Sequence, residues 1–297
     1  MNGGQKSIEI YKNELKRLRK AGDRTALIAK LAACATLAHA WLESLEKIEL
    51  KSMVAPKKYF SFDQRPKLSR AVNSELFLLQ PLEIRQVRDF LECPSQSMPF
   101  EATKLAYTIA MSFFCVVDII KERDQASPGN YFEILNYCLL GQMLGVNPIG
   151  RIPVLNLETE EYLTTDMIFD LGANKPKFHV PVKASTRERM VQLYAHQRIL
   201  DSVYGTGRFL GFPIIMAETK KDTKKLEVTE ICLPQQWRLY QRYIARMWSV
   251  CYYDIPIVYE ALNLEFPPIT VRTIGEYIGK SGIIDSAKNS GWETLRP

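Results

Sequence analysis

The chain has 297 residues, 46% of them apolar and 24% charged, the composition of an ordinary globular protein with enough chain for one large domain or two small ones. A net charge of +6, with a pI of about 8.9, admits a polyanionic partner without establishing one. Six cysteines without a C-x-x-C pair argue for reduced, buried thiols and against a zinc site; no apolar run reaching the ~18 to 20 residues of a bilayer span, and a charged N-terminus, MNGGQKSIEIYKNELKRLRK, argue for a cytoplasmic protein with no membrane partner.

Residues 5 to 21 and 24 to 50 have helical spacing, with Leu15 and Leu18 in the first and Leu27, Ile28, Leu31, Leu37 and Trp41 in the second. Lys12, Lys16, Arg17, Arg19 and Lys20 form a basic face, which serves as a solvated surface or as a phosphate contact. Residues 54 to 68 interleave basic and aromatic side chains between Pro56 and Pro66. They read as a loop, packed on the core by its aromatics or laid against DNA. Helices follow at about 81 to 92, 99 to 123 and 130 to 145, the second apolar nearly all round and therefore central. Glu101 opens that helix, where a carboxylate suits the helix dipole.

From Arg151 the period changes from helix to strand. Residues 152 to 156 are a first strand. Residues 164 to 171 and 178 to 184 are β-branched and aromatic runs joined by Gly172, Asn174 and Pro176, which makes a hairpin. With the turn centred near Asn174 and Lys175, Asp166 lies opposite Lys183 and both side chains share one face. His179 and Asp170 fall on that face by parity. Ser185 followed by Glu188 is a capping-box signature, so a helix runs over 186 to 203 with Met190, Leu193 and Leu200 on its packed stripe. Residues 212 to 218 suit a buried strand and 226 to 233 its neighbour, joined by a basic loop, 219 to 225. Helices at about 234 to 249 and 273 to 280 close the chain. With no repeat and no long linker, 1–297 reads as a single domain: a helical part over 1–150, then a sheet core over 151–297.

Two chemistries converge at the hairpin. An aspartate and a lysine on adjacent strands suit a divalent metal and an activated water at a phosphodiester. Arg187, Glu188 and Arg189 stand in the first turn of the helix that leaves the lysine strand. Arginine pairs bidentately with guanine O6 and N7 and glutamate accepts from cytosine N4, so the triplet is suited to reading G·C pairs in the major groove. Two arginines oppose the positive end of a helix dipole, which favours an anionic or acceptor-rich partner in front of them.

The run Lys183, Ser185, Thr186, Arg187, Glu188, Arg189 resembles the type II restriction endonucleases of the PD-(D/E)XK fold, in particular the group that reads CCGG-like or interrupted CC/GG sites. The resemblance spans residues 164 to 201. It implies an α/β nuclease with a mixed central sheet flanked by helices and preceded by a helical half that contacts DNA and dimerises. It further implies Mg²⁺ as cofactor, hydrolysis of double-stranded DNA at a G·C-containing palindrome, a homodimer, and a cognate DNA methyltransferase in a bacterial or archaeal cell. Asp166 and Lys183 are then the catalytic pair, with Asp166 on the metal, and Arg187, Glu188 and Arg189 read bases. The sequence departs from the group at Pro181, two residues before the lysine, and at the helical metal-binding glutamate, which is His196 or Gln197 here. Gln197 lies on the packed stripe, where an amide needs a partner, and an amide oxygen can ligate a hard cation. It is the expected further metal and catalytic residue, with His196 the alternative. Two other readings stand beside this one: a repair or recombination nuclease of the same fold, and a DNA-binding protein on a degenerate nuclease scaffold.

Overall fold

Residues 2–121, 124–154, 161–264 and 266–291 are described by the structure, a computed structural model. The chain opens with α1 (Gly3–Ile10), capped reciprocally by Asn2 and Gln5. A π turn over Tyr11–Leu15 leads into α2 (Lys16–Ala21), which stops where Gly22 takes the left-handed conformation. Asp23 caps α3 (Arg24–Glu43). That helix ends seven residues before its expected end at 50, and the next element is strand β1 (Glu46–Ser52). Ile48 and Leu50 alternate as a strand should, but they also continue the apolar spacing of the helix ahead of them.

The segment expected to be a loop over 54 to 68 contains β2 (Tyr59–Gln64) and β3 (Lys67–Leu68), followed by β4 (Val72–Asn73). Tyr59, Phe60 and Phe62 are buried. The Lys57 ammonium is committed inward, 2.7 Å from both Glu230 and Asp254. These aromatics and this lysine are therefore core, not a DNA-embracing surface, and the first half of the chain is not purely helical.

Three helices follow, α4 (Ile84–Glu92), α5 (Pro99–Ile120) and α6 (Ala126–Leu144). Residues 122 and 123, included in the expected helix, lie outside the described residues. α5 is buried almost throughout, as its composition predicts. Contrary to the sequence reading, α3 and α5 are long and apolar enough to cross a membrane by length and composition; both are packed into the core here. Glu101 is exposed in the first turn of α5.

The second half supplies β5 (Ile149–Val154), β6 (Glu161–Asp170), β7 (Lys177–His179) and β8 (Val182–Lys183), then α7 (Met190–Tyr204), β9 (Phe209–Gly211) and β10 (Ile214–Ile215). Residues 155 and 156 of the expected first strand lie outside the described residues. β6 is antiparallel to β5 and β7, and β7 is parallel to β9. β8 is parallel to β10. The register of β8 on β10 continues that of β7 on β9 without a slip, and it sets Pro181 opposite Pro213. Pro181 has no N–H to give, so one bond of the ladder is missing there, while the Phe212 and Ile214 N–H groups donate to the His179 and Pro181 carbonyls at 2.8 Å and carry the pairing across the gap.

The chain continues through β11 (Thr219–Asp222), β12 (Glu227–Glu230), α8 (Pro234–Tyr243), β13 (Val250–Tyr252), α9 (Ile257–Glu260), β14 (Val271–Thr273), α10 (Ile274–Ile278) and α11 (Ile283–Asn289). Half of the expected basic loop, 219 to 225, is strand β11. The helix expected to reach 249 stops at Tyr243, so that 250 to 252 can pair in parallel with both β10 and β14. β12 crosses back to pair in parallel with β1. One apolar cluster runs from Leu27 and Phe113 to Phe178, Ile214 and Tyr277, joining the helices of the first half to the sheet of the second.

α10 lies against the start of α5 at Gly275, whose N–H donates to Thr103 Oγ1 at 3.1 Å. A Cβ at Gly275 would sit 1.8 Å from the Pro99 carbonyl oxygen, a backbone atom that cannot move aside. Gly275→Ala is expected to destabilise the protein by about 1 to 3 kcal/mol through overpacking. Gly129→Ala in α6, where nothing lies within 4 Å of the new Cβ, is expected to be neutral or to stabilise by up to about 1 kcal/mol. Urea denaturation of the two variants checks the contrast.

Candidate active site

The hairpin turn centres on Ala173 and Asn174, one residue earlier than the sequence suggested, because Asp170 pairs with Lys177 and Ile168 with His179. The register moves by two residues, and Pro181 rather than Lys183 comes opposite Asp166. A two-residue shift keeps parity, so Asp166 and Lys183 still share a face. The Lys183 ammonium donates to Asp166 Oδ2 at 2.7 Å, and the Val182 N–H donates to the same oxygen at 2.7 Å. The carboxylate of Asp166 thus replaces the backbone acceptor that β6 would offer if its pairing continued past Pro181. Both donors fall on Oδ2, which leaves Oδ1 for a cation.

Two clefts of about 280 and 230 Å³ meet at Asp166. The smaller is lined by Thr165, Pro181, Lys183, Gln192 and His196. The larger is lined by Lys16, Arg19 and Lys20 of the first helices and by Tyr137. Part of the basic face noted in the sequence therefore stands at the mouth of the candidate centre.

A carboxylate that the sequence did not reveal also belongs here. Glu133, on α6, accepts from Arg19 Nη1 at 2.9 Å. Burial and the nearby negative charge of Asp166 push its carboxyl up, against the opposing pull of Arg19 and Lys183. Glu101 is exposed in the first turn of α5, while Glu133 is the helix carboxylate whose charge couples to Asp166 and Lys183. No spacing in the sequence marks it, since it sits on a helix buried on nearly every side.

The structure separates the two candidates for the helical position. His196 lines the cleft, and burial together with Lys183 pushes its pKa down. Gln197 is buried and its amide is already bonded. Its Nε2 donates to Asp201 Oδ1 at 3.0 Å and to the Phe209 carbonyl at 2.8 Å, which turns Oε1 toward His179 Nδ1 at 3.1 Å. His179 must then carry its proton on Nδ1 and accept at Nε2 from the Thr165 hydroxyl, 3.1 Å away. The partner that a buried Gln197 needs is thus the His179 ring, not a metal. Among the described residues, no three His, Cys, Asp or Glu side chains gather as a ready-made metal cage. Mg²⁺ does not require one, since it takes one or two carboxylates and completes its shell with water and phosphate oxygens.

The triplet expected to read bases also differs from expectation in its conformation. Arg187–Arg189 form a 3₁₀ turn, and the α-helix proper begins at Met190. The N-cap is Thr186, without a side-chain capping bond, rather than Ser185 as the sequence suggested. The Thr186 hydroxyl and N–H are instead given to Glu218. Arg187 and Arg189 are exposed, and Arg187 has a φ of 40°, in the left-handed region. The side chain of Glu188 lies outside what the structure describes.

A mixed sheet flanked by helices, with an aspartate and a lysine at the break between its central strands, is the fold of the PD-(D/E)XK nucleases, and the near full-length structural match of the chain is to a type II restriction endonuclease. The chain is similar over nearly its whole length to the crystal structure of the type IIP restriction endonuclease Kpn2I, with 27% identity, a TM-score of 0.77, and coverage of 94% of this chain and 96% of that one. The complex of the restriction endonuclease PspGI with its substrate DNA also matches, at 14% identity and a TM-score of 0.42 over 65% of this chain and 84% of that one. No protein-family model and no curated protein sequence matches.

Full burial pushes the His179 pKa down from 6.5 to about 4. A base held neutral in the fold stabilises it fully above its unfolded pKa, and that stability is lost as pH falls from 6.5 toward 4. The amount is about 3 kcal/mol at most. The midpoint of urea unfolding should drop more between pH 7.5 and pH 5 in the parent than in His179→Gln; equal drops would contradict this role.

Proposed function

We propose that this protein hydrolyses double-stranded DNA at a G·C-containing, palindromic site in a Mg²⁺-dependent reaction, in the cytoplasm of a bacterial or archaeal cell alongside a methyltransferase that protects the same site. The observation that carries the reading is the Asp166–Lys183 pair in a cleft flanked by Lys16, Arg19 and Lys20. Phosphates of the backbone enter along these basic residues, which supply the sequence-independent part of binding. Asp166, through Oδ1, and Glu133, once Arg19 turns away to a phosphate, would hold the cation. When bound, the ion supplies charge neutralisation at the phosphoryl oxygens and a more acidic water. Lys183, fixed by Asp166, orients the attacking water and steadies the pentavalent phosphorus. His196 borders the same cleft from α7, where it is placed to hold a water or a phosphate oxygen. Arg187, Glu188 and Arg189 read bases, the arginines on guanine and the glutamate on cytosine.

Purified protein incubated with plasmid DNA and Mg²⁺ is expected to give discrete fragments. A smear points to a nuclease of repair or recombination, and intact plasmid to a DNA-binding protein on a nuclease scaffold. Asp166→Ala and Lys183→Ala are each expected to lower cleavage at least a thousandfold, about 4 kcal/mol of transition-state stabilisation, with DNA binding retained. Cleavage near the parent rate by either variant overturns the assignment.

A palindromic site calls for a two-fold homodimer that brings one centre to each strand. α8 leaves Leu239 and Tyr243 exposed, at 53% and 70%, and α4 leaves Ile84 at 53%, which offers apolar surface for the contact. Light scattering of the DNA complex is expected to give twice the protein mass of one 34.1 kDa chain; the mass of a single chain excludes the dimer.

A further inference from the structure

The turn that carries the two exposed arginines has no cap of its own, yet its first residue is left-handed. A non-glycine residue holds such a backbone only where its surroundings over-determine it. The surroundings here are one carboxylate. Glu218 is 1% exposed, and it accepts from the Thr186 N–H at 2.9 and 3.2 Å, from the Thr186 hydroxyl and from the Tyr252 hydroxyl at 3.1 Å. Two of these three donors belong to Thr186, the residue on which the arginine turn opens. The carboxylate is itself held by the central strands. Met216 and Ala217 donate their N–H groups to the Lys183 and Ala184 carbonyls at 3.0 and 3.3 Å, and Tyr252 stands on β13, paired with β10. The ladder that places Lys183 therefore runs directly into the residue that places the arginine turn.

We propose that Glu218 is the positioning residue of sequence recognition, clamping Thr186 at the start of the turn so that Arg187 and Arg189 meet base edges in one fixed geometry. This inference rests on the reading of residues 187 to 189 as base readers. A bidentate contact needs two bonds aligned at once, so a turn free to rotate keeps its charge and loses its aim. A carboxylate can accept from the Thr186 N–H and from both hydroxyls at once, whereas an amide has one accepting oxygen and must turn its NH₂ toward a hydroxyl. Glutamine would keep the shape and present an NH₂ to those donors.

The test uses a randomised duplex library and the full-length protein in Ca²⁺ at fixed salt. It measures enrichment of bound sequences together with total affinity for scrambled duplex. Glu218→Gln is expected to reduce the preference for enriched over scrambled sequence by roughly ten- to hundredfold, while its salt-sensitive affinity for scrambled duplex stays within about twofold, since phosphate contacts are made elsewhere. Thr186→Ala, which deletes one donor and leaves the carboxylate, is expected to lose roughly tenfold, and Thr186→Ser to restore the preference. Arg187→Ala and Arg189→Ala provide the reference. If these two lose the preference while Glu218→Gln and Thr186→Ala keep it, the positioning role is overturned and the base-reading role stands. If the arginine variants keep it, the base-reading role fails and the proposal with it. Should Glu218→Gln not fold, as circular dichroism would show, Thr186→Ala decides alone, and full preference in that variant overturns the proposal.

Discussion

Everything in the second half of the chain turns on how the sheet survives two prolines that face each other. Pro181, opposite Pro213, removes one donor from the central parallel pair, and the strand that follows it loses its backbone acceptor on the β6 side. The Asp166 carboxylate fills that position, taking the Val182 N–H and the Lys183 ammonium on one oxygen. A buried N–H left without a partner costs ~1 to 3 kcal/mol, so the bond to Val182 has a structural reason that is independent of chemistry. The ion pair adds less, since Asp166 and Lys183 keep 21% and 19% of their side-chain surface in solvent. One carboxylate thereby closes the sheet at the point where it opens the cleft, and fold and centre share a single interaction.

The parts of the fold legible in the sequence were those whose periodicity is long and undisturbed. α5 announced itself by an all-round apolar composition, and the hairpin of β6 and β7 by turn residues between β-branched runs. β1 and β2 did not, for opposite reasons. β1 continues the apolar spacing of α3, and β2 is buried on both faces, so it shows no alternation at all. The short parallel strands β13 and β14 have three residues each and carry no period that a window can detect. Their existence is decided by the neighbours they pair with.

At the centre, parity carried further than register. Asp166 and Lys183 came together although the turn was misplaced, because an even shift leaves every side chain on its own face. Glu133 and Glu218 were invisible for a different reason. Each acts across more than thirty residues of chain, on a partner that only the folded sheet brings near. The glutamine at 197 shows the converse. That a buried amide needs a partner was correctly inferred, but sequence cannot tell which of several polar neighbours will answer, and a histidine on β7 did.

The pairing of β1 with β12 bears on how the molecule comes into being. Lys51 lies beside Glu227 in a parallel ladder, so a strand made early must wait for one made near the end of the chain. Pairings of such wide separation raise the contact order and slow folding, because loop closure is paid before the contact returns anything. The cleft is likewise composite, with Lys16 and Arg19 from the first helices and Asp166 and Lys183 from the sheet. A nascent chain from which Lys183 and Glu227 have not yet emerged has therefore completed neither its centre nor the β1–β12 ladder, however early its first helices form.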